Sequence, residues 1–176
     1  LIAAVCLSLA VFAMLLSAMQ TAYAADGDYT VCPAGPPQCG YKSIQAAVDS
    51  APSGSTVLVA KGIYRDVHDR PRYGNHGDEA VKQVVYITKS LTLRGGYLAP
   101  NFDAPPDPTA NLTVLDAQDK GRVAYLLGAG EPITVEISGF QIMNGLASGG
   151  DQFYGGRDAG GGLYVVSTTL RLENSV

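Results

Sequence analysis

The sequence has no tryptophan, only three cysteines and two histidines among 176 residues, and only 16% charged side chains. The scarcity of charge, 12 Lys+Arg against 16 Asp+Glu with no long basic run, argues against a nucleic-acid footprint, because affinity for phosphate needs clustered cations. The Cys and His supply is equally thin. No second Cys/His pair stands at ligand spacing beside Cys32 and Cys39, so at most a half-built metal site could form there. Long helical patterns are also missing. Glycine, by contrast, is abundant at 21 residues, well above the usual ~7%, which marks a turn-rich chain.

The one long apolar run is at the start. Leu1 to Ala24 carries no charge and ends in Ala22-Tyr23-Ala24, a small-x-small pattern followed at once by Asp26-Gly27-Asp28. This predicts a signal peptide cleaved after Ala24, hence a secreted, extracellular or cell-surface protein with no membrane span after cleavage. The competing reading is a retained anchor, since about 18 apolar residues can cross a bilayer. There is no initiator Met or basic segment before Leu1, and the strand pattern stops abruptly at Val176; the expectation is therefore an N-terminal fragment whose parent continues at both ends. Cys6 reads as a small apolar residue of the run. Cys32 and Cys39 flank a Pro/Gly loop, and in an exported chain they predict a disulfide, with two free thiols as the alternative.

From Tyr41 a pattern emerges. Ser43 is placed to cap a short amphipathic helix carried by Ile44, Ala47, Val48 and Ala51, and Pro52-Ser53-Gly54 ends it. After that, short runs rich in β-branched residues predict strands over Thr56–Ala60, Val84–Thr88, Leu91–Arg94, Thr113–Leu115, Ala124–Leu127, Thr134–Ser138, Leu163–Val166 and Thr169–Leu172. Three of these share an apolar-x-apolar-polar-(Gly/Asn) signature, starting at Leu91, Val135 and Leu170. Such repetition predicts stacked units, with Leu91/Leu93, Val135/Ile137 and Leu170/Leu172 aligned as aliphatic ladders. The fold class expected is all-β, a right-handed parallel β-helix with a short N-terminal capping helix.

The segments Ser43 to Val67 (SIQAAVDSAPSGSTVLVAKGIYRDV) and Val84 to Tyr97 (VVYITKSLTLRGGY) resemble the opening of a parallel β-helix of the pectin lyase-like superfamily, of the secreted bacterial type. The resemblance covers roughly Tyr41 to Val176. It implies a helix covering one end of a solenoid and carbohydrate-related chemistry. The family's enzymes carry their catalytic groups well beyond the opening turn, and no catalytic residue transfers to this sequence.

Three loops hold the candidate binding groups. Arg65 to Lys82 contains His68 and His76; its Arg70, Arg72, Asp69 and Asp78 could supply the cation and the Ca²⁺-holding carboxylates that a lyase needs, or the stretch could contact saccharide or partner, against the simpler and favoured reading of a solvated loop. Pro100 to Asn111 holds Asp103 and Asp107, weak candidates for Ca²⁺, the single cofactor considered; Asn111 opens a glycosylation sequon. The glycine-dense stretch Asn144 to Gly162 presents Phe153, Tyr154 and Arg157, rings that could stack on sugar and a guanidinium that could pair with a uronate, against the favoured reading of a flexible insertion. Asn144 and Asn174 read as turn residues. Tyr64, Tyr86, Tyr97, Tyr125 and Tyr164 read as half-buried packing, and Asp116, Glu136 and Glu173 as isolated, solvated carboxylates. Two functions follow as expectations. The first is an exported scaffold or adhesion-type protein contacting polysaccharide or a cell-surface protein. The second is the leading part of a polysaccharide lyase or hydrolase with its catalytic residues beyond Val176.

Overall fold

In the computed structural model, residues 29–72, 80–147 and 160–176 are described. Twelve strands and one helix are found among them. The strands are β1 (Tyr29–Val31), β2 (Thr56–Ala60), β3 (Gly62–Tyr64), β4 (His68–Pro71), β5 (Ala80–Ile87), β6 (Leu91–Tyr97), β7 (Thr113–Asp116), β8 (Arg122–Leu127), β9 (Ile133–Ser138), β10 (Gln141–Met143), β11 (Leu163–Val166) and β12 (Thr168–Glu173). They form three sheets, in the orders β1-β2-β6-β9-β12, β10-β7-β3 and β11-β8-β5-β4. Every pairing is parallel except β4 with β5, which is antiparallel.

This corrects the expected fold. The chain is mostly β and mostly parallel, but its strands divide among three separate sheets and no single solenoid coil is traced through them. Two irregularities in pairing accompany this division. His68–Pro71 pairs antiparallel with Ala80–Gln83, inside what reads in sequence as a solvated loop. The β2–β6 register also slips between Leu58 and Ala60.

Within the five-stranded sheet the repeated segments do lie side by side. Leu91 is opposite Val135, which is opposite Leu170; Leu93, Ile137 and Leu172 make the next row. Alternation explains it: the odd residues of LTLRG face the interior and the even ones face out. Leu93, Val135 and Ile137 are buried in one continuous core with Val57, Val59, Ile87, Leu115, Leu126 and Phe140.

The helix α1 (Ile44–Ser50) forms where the apolar stripe predicts it, and Ile44, Ala47 and Val48 are buried against β1, β2 and β5. Ser43 occupies the N-cap position in an extended conformation but makes no capping hydrogen bond, and its hydroxyl is buried without a partner. Gln45 does the unexpected work. Buried at the helix start, its Oε1 accepts the Tyr86 N–H at 2.7 Å and its Nε2 donates to the Tyr86 carbonyl at 3.1 Å. One amide side chain thus satisfies both backbone groups of β5 facing the helix, as a neighbouring strand would.

Candidate functional site: a charged groove beside the five-stranded sheet

The outward residues of β6, β9 and β12 are polar. Register places Thr92 beside Glu136 beside Arg171, and Arg94 beside Ser138 beside Glu173. Charge therefore alternates along and across the face. Arg94 Nη2 lies 3.7 Å from Glu136 Oε1. Arg171 donates from Nε and Nη2 to Glu173 Oε1 at 2.9 and 2.6 Å. The Glu173 hydrogen bonds, and then the charges of Glu173 and Glu136, raise the Arg171 pKa above its ordinary value.

This face opens into a groove of about 230 Å³ lined by Arg94, Gly95, Pro106, Pro108, Glu136, Ser138, Gly139, Glu173 and Asn174. Its floor exists because two glycines meet there. A Cβ on Gly95 would lie 2.5 Å from the Gly139 carbonyl oxygen, and Gly139 itself sits at φ +76° against Pro108. Its far wall is the Pro100–Asn111 loop, held by the Asp107 N–H donating to the Gly96 carbonyl at 2.8 Å and by Asn111 Nδ2 donating to the same carbonyl at 3.1 Å. Two carboxylates, a guanidinium, a hydroxyl and an amide thus converge beside pyrrolidine rings, on strands that cannot easily shift. Such a set can accept from and donate to a hydroxyl-rich ligand while its apolar walls pack on the ligand's C–H faces.

The residues singled out in the sequence fall elsewhere. Arg70 pairs with Asp49 at the end of α1, and its Nε is buried without a partner. Arg72 follows β4 and is partly buried. Asp103 is exposed, and Asp107 spends Oδ1 on the backbone N–H groups of Thr109 and Ala110, both at 3.0 Å. That is an Asx turn. No group of three or more His, Cys, Asp or Glu suited to a metal is found among the described residues. Phe153, Tyr154, Arg157, His76 and Asp78 lie outside the described residues, as does the whole of Leu1 to Ala24. No helix among the described residues is long and apolar enough to cross a membrane.

Cys32 and Cys39 are disulfide-bonded, with Cα atoms 6.0 Å apart. Cross-links of this kind persist in oxidising compartments. The isolated-carboxylate reading needs correction in all three cases. Glu136 and Glu173 share the groove, and Asp116 accepts from Asn144 Nδ2 at 2.8 Å, Arg65 Nε at 2.9 Å and the Gln118 N–H at 3.0 Å. Those bonds, Asn144 first, hold the Asp116 carboxyl below the usual carboxylate range. The partner Asn144 is in the left-handed region at φ +53°, which fits its reading as a turn residue. Tyr86, Tyr125 and Tyr164 form a stack along β5, β8 and β11, with centroids 5.4 and 4.8 Å apart and the Arg122 guanidinium 4.9 Å above Tyr164. Burial, and then the neighbouring Tyr125, push the Tyr86 hydroxyl pKa up, with Arg70 opposing.

No protein-family model, curated protein or solved structure matches this chain.

Proposed function

We propose that the protein is an exported binding scaffold, extracellular or at the cell surface, that contacts a neutral carbohydrate through the groove on its five-stranded sheet. The observation that carries this reading is the convergence of Arg94, Glu136, Ser138, Glu173 and Asn174 around about 230 Å³ walled by Pro106 and Pro108. That is room for a segment of a saccharide rather than a large ligand, small against the ~300–1,000 Å³ of a drug-sized pocket. The ion pairs Arg94–Glu136 and Arg171–Glu173 balance each other. A balanced face gives no net attraction to an acidic chain, whereas planar carboxylate and guanidinium groups suit vicinal hydroxyls. The resemblance to the pectin lyase-like superfamily contributes the ligand class and none of the groove residues. The disulfide supports export.

Calorimetric titration with neutral and uronic-acid oligosaccharides tests the proposal. Saturable binding of a neutral sugar, weakened at least tenfold by Glu136→Gln with the circular dichroism unchanged, is expected. Binding that is equal in the variant, or confined to uronic-acid chains, overturns it.

One observation favours a second reading. Two carboxylates on neighbouring strands of one face are what a polysaccharide-cleaving site requires. Both are already engaged by guanidinium partners, however; release of reducing ends from a polysaccharide would establish this reading over the scaffold.

A further inference from the structure

Asn144 is the one asparagine of this sequence that precedes a glycine; the other four precede His, Phe, Leu or Ser. It directly follows β10, is exposed, and holds the turn after β10 against the turn after β7. Its Nδ2 donates to Asp116 Oδ1 at 2.8 Å, and its carbonyl accepts the Asp119 N–H at 2.9 Å. Two residues on, the Leu146 N–H donates to the Gly121 carbonyl at 2.8 Å. The fold asks for both members of the Asn144-Gly145 pair. Position 144 is left-handed at φ +53°, which asparagine tolerates, and its amide supplies the first of the bonds that hold the Asp116 carboxyl low. Position 145 has no room for a side chain, because a Cβ there would meet the backbone of Gly161. Packing thus sets an amide carbonyl next to a backbone nitrogen that no side chain crowds, and the Gly145 N–H has no acceptor among the described residues.

We infer that Asn144 is a site of spontaneous covalent modification, deamidation through a cyclic imide, and that the reaction releases the two turns from each other. A base from solvent takes the Gly145 N–H proton, the nitrogen bonds to Asn144 Cγ, and the Cγ–Nδ2 bond breaks, Nδ2 leaving as ammonia with a proton from water. Both reacting groups belong to one dipeptide, so no encounter between molecules is needed. Water then opens the five-membered imide at either carbonyl, giving aspartate or an isoaspartate whose backbone is one carbon longer. Either product loses the donor that faced Asp116 and sets a second carboxylate in its place, where the two charges repel. Isoaspartate also lengthens the chain between the Asn144 carbonyl and the Leu146 N–H, the two backbone groups that clasp Asp119 and Gly121. None of these residues lines the groove, so the inference stands apart from carbohydrate binding.

The test incubates the folded, unsubstituted chain in mildly alkaline buffer and follows its tryptic peptides by mass spectrometry, with urea melts of the same samples. The peptide from Val123 to Arg157 contains Asn144 as its one asparagine. It is expected to gain the acid form, as a mixture of aspartate and isoaspartate, ahead of the peptides that carry Asn101, Asn111 and Asn174, and the urea midpoint is expected to fall in step. Freshly prepared Asn144→Asp shows a lowered midpoint from the start. Asn144→Gln, whose longer side chain would have to close a six-membered ring, keeps its midpoint constant through the incubation. An Asn144 that retains its amide as long as Asn101, Asn111 and Asn174 do, or that loses it only in urea, overturns the site. Conversion that leaves the midpoint where it was overturns the release of the turns.

Discussion

Replacing Gly95 with Ala tests the floor of the groove directly. The added methyl would stand 2.5 Å from the Gly139 carbonyl oxygen, 3.2 Å from its carbon and 3.1 Å from Thr113 Cβ. Two of these are backbone atoms of β9's turn, and β9 is held in register between β6 and β12, so neither can move without breaking ladder bonds. Overpacking of this kind costs about 1–3 kcal/mol. Against it stands the smaller freedom of an unfolded alanine, worth about 0.4–1 kcal/mol. The clash prevails, leaving a net loss of about 1–2 kcal/mol. At roughly 2–4 °C per kcal/mol for a chain of this size, Tm falls by roughly 2–8 °C. Gly40→Ala is the internal control, since its added methyl meets only the Thr30 oxygens at 3.5 and 3.6 Å, ordinary contacts. Urea melts followed by far-ultraviolet circular dichroism measure both, tryptophan fluorescence being absent from this chain. Equal midpoints for the two variants would refute the claim that close approach of β6 and β9 builds the groove floor.

Two other perturbations separate covalent from electrostatic support. The disulfide closes a loop of sequence separation 7, so the Cys32→Ser/Cys39→Ser chain loses about 2–2.5 kcal/mol by chain entropy; a urea midpoint unchanged by reductant would count against this. Asp116 titrates below the ordinary carboxylate range in the folded protein, so its contribution is complete at neutral pH and is lost as pH falls through that lowered value. The stability gap between the natural chain and Asp116→Asn therefore holds steady at neutral pH and shrinks below about pH 4. A gap that persists unchanged into stronger acid would mean that the Arg65 and Asn144 bonds do not depend on its charge.

Much of the local structure can be read from alternation. Thr56–Ala60 and Leu163–Val166 have the bounds the sequence suggests, and β6, β9 and β12 extend theirs by one to three residues in all. What escapes is what depends on a partner. His68–Pro71 carries two charges and a proline and has no strand pattern; it is extended because it pairs with Ala80–Gln83. That pairing also explains why β5 starts four residues before Val84, with Gln83 fully buried and donating from Nε2 to the His68 carbonyl at 2.9 Å. The division into three sheets is non-local in the same way. Alternation says which face a residue takes, while the order of strands in a sheet is decided by loops whose length and turns it does not encode. Gln45 shows the limit most sharply: in sequence it is a polar residue beside an apolar stripe, and its role appears only when Tyr86, 41 positions away, presents a bare backbone edge.

The groove was partly legible, by a route that the isolated-carboxylate reading misses. Once the repeats are aligned at Leu91, Val135 and Leu170, their second and fourth positions form two rows: Thr92, Glu136, Arg171 and Arg94, Ser138, Glu173. Reading only the apolar positions for core discards these rows, and with them the fact that each charge has an opposite charge on the neighbouring strand or two residues along. Regular stacking gives the outward side chains the same fixed separations as the ladder beneath them, which is the preorganisation a polar binding face needs. The proline wall is different. Nothing in Pro105-Pro106-Asp107-Pro108 announces what it faces; its position follows from Gly96, whose φ of +89° lets the chain turn and whose carbonyl holds both Asp107 and Asn111. The repeated strands supply the chemistry of the groove, and one glycine-permitted turn supplies its depth.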